Sequence, residues 1–405
     1  MNVLFLSPGY PPEMPKFVKG LAQAGARVIG LGDQPERALP PDARDHLAAY
    51  VQGPGFADEA RLVAEAVKIA EHVRIDRVVS LWEPLMIAAA RICEAIQAPG
   101  MTVDETLPFR DKEEMKRRLD AHGIRTPRHA RAHSIAEVEA ALENIGYPAI
   151  VKPIAGAGSA DTFRLDDEAA WRAAQPKLRH VPEVSVEEFI DGEEFTFDTI
   201  CGGGKVLYYN ICWYRPRPLL ARQLEWVSPQ TVALRDPDAP ELAAGRAMGH
   251  AVLQALKFHE GFTHMEWYRK ADGEVVFGEI GARPPGAFTV DLMNYASDID
   301  LFKGFGEALV HARFSQPITR KYNAISIFKR AQGQGTIRRI DGLGPLLSEI
   351  GPHVAALDLL PVGAQRRDWK QTLVSDGMVI VRHPDLETAL NLADRVGMEL
   401  QMVAS

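Results

Sequence analysis

Glu266 and Glu279 are the residues of this sequence with the most chemical consequence. They stand in FTHMEWYRKADGEVVFGEIGARPPG, residues 262–286. Its two apolar runs, Phe262–Tyr268 and Val275–Ile280, flank Ala271-Asp272-Gly273 and predict an antiparallel hairpin. Pairing puts both carboxylates on one face. Acids facing each other in a partly buried sheet repel, and a cation between them relieves the repulsion. Mg²⁺ bound to a nucleotide is such a cation, because it takes one or two carboxylates plus phosphate oxygens. Arg283, four residues past Glu279 on a Pro-rich stretch, can be aimed into the same space. Two glutamates solvated on an outward face account equally well for the pair taken alone.

Lys152 ends the apolar run PAIVKP and precedes IAGAGSA, which includes Gly156, Gly158 and Ser159. A lysine there needs a polar site for its ammonium, and a loop of small residues lets backbone N–H groups approach phosphate closely. The lysine precedes the loop and no GK[ST] follows, so this is not a P-loop. A third segment, VEEFIDGEEFT, carries Glu187, Phe189, Ile190 and Glu194. An unpaired stretch of strand backbone can read an adenine edge, and a carboxylate just beyond it can accept from ribose hydroxyls. A surface hairpin with a charged turn is the simpler alternative for that segment by itself.

Elements that would position these groups follow from periodicity. Asn2–Leu6, Arg27–Leu31 and Arg77–Leu81 read as strands, alternating with helices over Lys16–Ala24, Glu59–His72 and Leu85–Ile96. That alternation predicts βαβ units on a parallel sheet, with ligands beyond the strands' carboxyl ends. Ser7–Tyr10 and Trp82-Glu83 occupy such ends; no GxGxxG follows the first strand, which argues against a dinucleotide site. Asp111-Lys112 opens a charged helix, Lys112–Ala121, and a second helix covers Ile135–Asn144. Val184–Phe189 and Glu194–Ile200 read as antiparallel strands around Asp191-Gly192, and residues 235–256 as mostly helix. The last eighty-odd residues predict short strands, Gly-rich turns and one helix, Leu386–Val396.

The 405 residues carry 46 Lys+Arg against 54 Asp+Glu, a net charge of −8, which disfavours a dedicated nucleic-acid binder. Three cysteines without CxxC spacing exclude a disulfide framework or Cys-based zinc site and fit a reducing cytoplasm. No run of 18 apolar residues exists, and the opening residues lack a basic n-region, so neither a membrane span nor a signal peptide is expected.

In order along the chain, Asp111-Lys112, Lys152 with its small-residue loop, Glu187–Glu194 and the Glu266/Glu279 pair make the sequence resemble the ATP-grasp superfamily. The likeness is to its carboxylate–amine ligase branch, with the L-amino-acid ligases and biotin carboxylase. The resemblance implies a fold of mixed α/β and α+β class. It comprises an N-terminal Rossmann-like parallel-sheet domain (1–105), an ATP-grasp domain (106–320, lid 145–190) and a C-terminal β-rich cap (321–405). It implies Lys112 and Lys152 on phosphate, with Lys116 a weaker substitute for Lys112. It places Gly156–Ala160 as a phosphate lid, and Glu187 with the backbone of Phe189 and Ile190 on adenine. Glu194 then falls on ribose, Glu266 and Glu279 on metal, and Arg283 on the reacting phosphoryl. The family's usual metal-binding asparagine is Gly281 here. The implied activity is ATP- and Mg²⁺-dependent ligation (Mn²⁺ as a substitute) of a small carboxylate, an amino acid or relative, to an amine through an acyl-phosphate. A biotin-carboxylase-like or purine-pathway ligase, or a catalytically weak ATP-binding regulator, is the alternative. A homodimer is a family habit.

For the substrate, Cys212–Val227 concentrates Trp213, Tyr214, Arg215, Arg217 and Arg222, and alternation puts His264 on the face of Glu266. Aromatic and guanidinium groups suit an anionic amino acid or aromatic acid. A basic surface loop over a core tryptophan explains the same composition. Arg330, Arg338 and Arg339 read as a solvated basic face.

Overall fold

A computed structural model describes residues 1–154, 161–372 and 374–405. The first strand, Asn2–Leu6, lies inside a parallel sheet in the order Ala49–Gln52, Arg27–Gly32, Asn2–Leu6, Arg77–Val79. A strand covered on both faces needs apolar side chains throughout, which is why NVLFL does not alternate with polar residues. Val3 and Phe5 pack with Phe17 and Leu21 of the helix Met14–Gln23, while Leu4 and Leu6 pack with Leu62 and Ile92 of Glu59–His72 and Met86–Ile96. Asp58 caps Glu59–His72 by accepting from the Arg61 N–H.

The central region holds two antiparallel sheets. A four-stranded sheet runs His129–Ala132, Val184–Glu188, Ala149–Pro153, Phe163–Leu165. Helices Ile135–Ile145 and Glu168–Ala174 cover it. A nine-stranded sheet begins at Val275–Gly281 and continues through Gly261–Arg269, Glu193–Gly202, Cys212–Arg215, Gln230–Ala233, Asn323–Phe328, Gly377–His383 and Val354–Leu359. Lys205–Asn210 pairs beside Glu193–Gly202. This sheet crosses residues 320–321 without a break, because Asn323–Phe328 pairs with Gln230–Ala233. A further three-stranded sheet belongs to the C-terminal region alone.

Val184–Glu188 and Glu193–Gly202 are strands, but they do not pair with each other. Each is flanked on both edges by other strands, so its hydrogen-bonding groups are already satisfied. Phe189–Gly192 therefore carries the chain between the two sheets. Gly192 is required there, since a Cβ would stand 2.5 Å from the Arg269 carbonyl oxygen. Within residues 235–256 only Ala243–Ala255 is α-helical, because Pro237 and Pro240 interrupt what precedes it. Among the described residues the C-terminal region has two α-helices, Leu343–Ile350 as well as Leu386–Glu399.

The parallel sheet is joined to the large sheet through Met14–Gln23 and Leu301–His311. Their backbones approach closely at two glycines. A Cβ on Gly20 would lie 2.1 Å from the Phe302 carbonyl oxygen, and one on Gly306 would lie 2.5 Å from that of Gly20. Phe17 meets Phe302 and Phe305 edge-on at 4.8 and 5.3 Å beside this crossing. Gly20→Ala is therefore expected to destabilise the protein by about 1–3 kcal/mol through overpacking. Urea unfolding of the variant, with an unchanged midpoint, would show that the two helices are not in this contact.

Candidate active site

The hairpin Gly261–Arg269/Val275–Gly281 sets Glu266 directly opposite Glu279 and His264 opposite Gly281. A bulge follows Glu266, skipping Gly278, whose Cβ would come within 2.8 Å of the Glu266 carbonyl oxygen. Lys112 Nζ reaches Glu279 Oε2 at 3.3 Å and Lys152 Nζ lies 3.9 Å from the same oxygen. Lys112 begins the helix Lys112–Asp120, capped by Asp111, which accepts from the N–H groups of Glu113 and Glu114. Lys152 sits near the end of Ala149–Pro153, so its ammonium crosses from the small sheet to the large one. Burial alone would push the Glu279 carboxyl up; Lys112, then Lys152 and Arg283, more than offset that and hold it down to about 2.

Glu187 is 4% exposed, and its carboxylate lies between Lys152 Nζ at 2.8 Å and Lys116 Nζ at 2.6 Å. Its side chain is thus committed to two lysines, and its backbone is paired with the strands on both sides. Lys116, 1% exposed, also donates to Glu113 Oε1 and Ser185 Oγ, each at 3.0 Å. It is an interior cation that fixes the helix Lys112–Asp120 against the small sheet. Burial would raise the Glu113 carboxyl as well, but His129, Lys116 and Ser185 hold it down to about 2.

Glu194, buried at 4% exposure, accepts from Arg217 Nε at 3.2 Å. Its carboxyl is pushed up to about 8, first by burial and then by the charge of Glu266, with Arg217 opposing. The Arg217 guanidinium lies over the rings of Phe189 and Tyr268, 5.0 and 4.9 Å from their centroids, and donates to the Ile190 carbonyl. Arg283 donates through Nε to Glu83 Oε2 at 2.8 Å, and Glu83 also binds Arg110. An asparagine in place of Gly281 would meet Arg283, since a Cβ there would lie 3.2 Å from Arg283 Cγ. His264 Nδ1 is 2.6 Å from Asp198 Oδ1, and Nε2 is 3.5 Å from Glu266 Oε1. Thr196 Oγ1 donates to Asp198 Oδ2 and accepts from the Cys212 N–H, closing the network. Burial would push the His264 imidazole down, but Asp198 prevails and brings it up to about 9.

A cavity of about 680 Å³ opens between the sheets. Lys112, Lys152, Glu187, Glu194, Glu266 and Glu279 line it. Phe189, Ile190, Arg283, His264, Tyr214 and Arg222 also face it. Trp213 and Arg215, expected beside the substrate, do not. They flank Tyr214 on the strand Cys212–Arg215, and neighbours on a strand point to opposite faces. Trp213 stacks on Phe195 and Arg215 binds Asp394. Gly156, Gly158 and Ser159 lie outside the described residues. Among the described residues no group of three or more His, Cys, Asp or Glu side chains is arranged to hold a metal by itself. Two facing carboxylates suit an ion that takes its other oxygens from phosphate and water.

Of the further cavity residues, Glu83 and Arg217 were named without a role, Trp369 was not named, and Arg330, expected on a solvated basic face, is instead half-buried and lines the cavity. Glu83 stands just past the carboxyl end of a parallel strand, the crevice position of such sheets. Arg217 lay within the basic segment, between two prolines; Arg330 and Trp369 come from C-terminal loops without local pattern.

Residues 109–214 match the ATP-grasp domain family. The chain contains an ATP-grasp domain. The ATP-grasp fold extends over the whole chain. An L-amino acid ligase from Bacillus licheniformis superposes with a TM-score of 0.80 at 22% identity, over 100% of this chain and 98% of that one. An N5-carboxyaminoimidazole ribonucleotide synthetase from Thermotoga maritima gives 0.73 at 17% identity, over 100% and 99%. In sequence, this ATP-grasp protein is 24% identical over 284 residues to the L-arginine-specific L-amino acid ligase of Bacillus subtilis, covering 68% of this chain and 67% of that protein. A Sinorhizobium fredii protein is 28% identical over 295 residues, covering 70% of this chain and 59% of that protein.

Two outcomes test the buried charges of this ATP-grasp protein. Glu187→Gln removes one counter-charge from fully buried Lys116 and is expected to cost about 3 kcal/mol in urea unfolding; a loss below about 1 kcal/mol would refute the pairing. Glu113 has a folded value of about 2 against its ordinary 4.5. Its stabilisation is complete above pH 4.5 and is lost as pH falls through 2. The acid limb of the stability curve between those values is expected to flatten in Glu113→Gln.

Proposed function

We propose that this ATP-grasp protein is an ADP-forming carboxylate–amine ligase that activates an amino acid or related small acid as an acyl-phosphate and joins it to an amine. The observation that carries this reading is the convergence of Lys112 and Lys152 on Glu279, which faces Glu266, with Arg283 lining the same cavity, which has room for a further molecule. The ligase names of the relatives above support it.

A carboxylate resists attack because its charge and resonance make it a poor electrophile. One of its oxygens attacks the γ-phosphorus of ATP, the bond to the β–γ bridging oxygen breaks, and ADP departs with that electron pair. The amine then attacks the acyl carbon, phosphate leaves, and the amine's proton passes to solvent. The protein supplies position and charge compensation. In this assignment Lys112 and Lys152 bind phosphate oxygens, and Arg283, held by Glu83, meets the phosphoryl group in transfer. The Phe189–Ile190 backbone borders adenine and Glu194 accepts from ribose. Glu266 and Glu279 would hold Mg²⁺, with Mn²⁺ as a substitute, which neutralises charge on the phosphates when bound. The segment with Gly156, Gly158 and Ser159 is assigned to cover the phosphates, with exclusion of water protecting the acyl-phosphate. Tyr214, His264 and Arg222 face the acid or amine.

The division into 1–105, 106–320 and 321–405, a cytoplasmic location and a homodimer complete the proposal. Among the described residues no helix is long and apolar enough to cross a membrane. ADP release across a panel of amino acids, with hydroxylamine trapping of the acyl-phosphate, is the deciding measurement. Glu279→Ala and Arg283→Ala are each expected to lower kcat by about 10²–10³ or more while the fold persists. Near-normal turnover in either variant sinks the assignment. Bicarbonate-dependent turnover, or ATP binding without any trapped acyl-phosphate, would replace the ligase reading with a carboxylase-like or regulatory one.

A further inference from the structure

Arg222 and Arg330 line the cavity away from the lysines and the facing glutamates. Arg330 lies just past Asn323–Phe328, a strand four places from Gly261–Arg269 in the large sheet, and Arg222 follows the turn Pro218–Ala221. Among the described residues neither guanidinium has a carboxylate partner. Arg222 donates to the Lys370 carbonyl at 2.7 Å. Arg330 donates to the carbonyls of Ala221 and Leu224 at 2.9 and 2.7 Å, and weakly to Ser375 Oγ at 3.4 Å. The Arg330 guanidinium also lies 4.5 Å from the centroid of Trp369, which fixes its plane.

The acids nearby are engaged elsewhere. Glu225 binds Arg366 at 2.6 Å; Asp376 accepts from the N–H groups of Ala331 and Arg367 and lies 3.6 Å from Arg366. Two half-buried cations facing one cavity with only neutral acceptors leave a positive potential to be met from inside that cavity. Burial, then Arg222, pushes the Arg330 guanidinium down to about 10, the direction expected of such a site.

We infer that Arg222 and Arg330 form a subsite for a second anionic group, a carboxylate or a phosphate, on one of the two small-molecule substrates. Planar, fixed guanidinium groups bind both anions through paired N–H donors, which an ammonium does less well. The preferred substrate is then an acid or amine with an anionic side chain, and its neutral isostere binds poorly. This inference rests on the ligase reading for the word substrate; the anion subsite itself does not depend on turnover.

Equilibrium titration into the protein loaded with a non-hydrolysable ATP analogue and Mg²⁺ tests it, using L-glutamate against L-glutamine and O-phospho-L-serine against L-serine. At least one anionic member is expected to bind about tenfold or more tightly than its neutral partner, and the pair that responds separates carboxylate from phosphate. Arg330→Gln and Arg222→Gln are expected to erase that difference, leaving the neutral partner's Kd and the binding of the ATP analogue unchanged. Arg330→Lys is expected to keep only part of that difference, and Arg367→Gln, at an exposed position, to keep all of it. Equal binding of anionic and neutral members to the wild type, or loss of both alike in Arg330→Gln, overturns the subsite. An anion preference without ADP release or hydroxamate for any compound would leave the subsite standing and refute the ligase reading.

Discussion

The structure turns on buried carboxylates shared between lysines. Glu187 holds Lys116 and Lys152, and Glu279 draws Lys112 and Lys152 to one oxygen. Each of these ions would be costly to bury alone, and each is tolerable because its neighbours carry the opposite sign. The helix Lys112–Asp120, the small sheet and the large sheet are brought together by this one alternation of charge. The same alternation places two ammonium groups and two facing carboxylates at the wall of a single cavity.

The arrangement divides labour between lysines that look alike in sequence. Lys112 and Lys116 are one helical turn apart, yet Lys112 faces the cavity and Lys116 is sealed between Glu113, Ser185 and Glu187. Arg283 is treated similarly. Its guanidinium is anchored by Glu83, which comes from the parallel sheet 200 residues earlier. The N-terminal region thereby helps orient a side chain of the central one, and the tight helix crossing at Gly20 and Gly306 keeps the two in register.

Local patterns carried much of this. The hairpin was legible from alternation and an Ala-Asp-Gly turn, and the parallel sheet from unbroken apolar strands between amphipathic helices. Choice of strand partner was not legible, because any two antiparallel strands next to each other in sequence look like a hairpin; Val184–Glu188 and Glu193–Gly202 look so and pair elsewhere. Trp213 and Arg215 were drawn to the site by composition, whereas strand geometry admits only Tyr214. Glu83 and Arg330 have partners 200 and about a hundred residues away, and nothing in a short window reports such contacts.

Phe189–Gly192 links the two antiparallel sheets directly, with Gly192 pressed against the Arg269 backbone. So short a tether leaves little freedom for sliding and favours pivoting as the relative motion of the plates. Lys152 rides on one plate and Glu279 on the other. Their separation, 3.9 Å here, works as a caliper across that pivot.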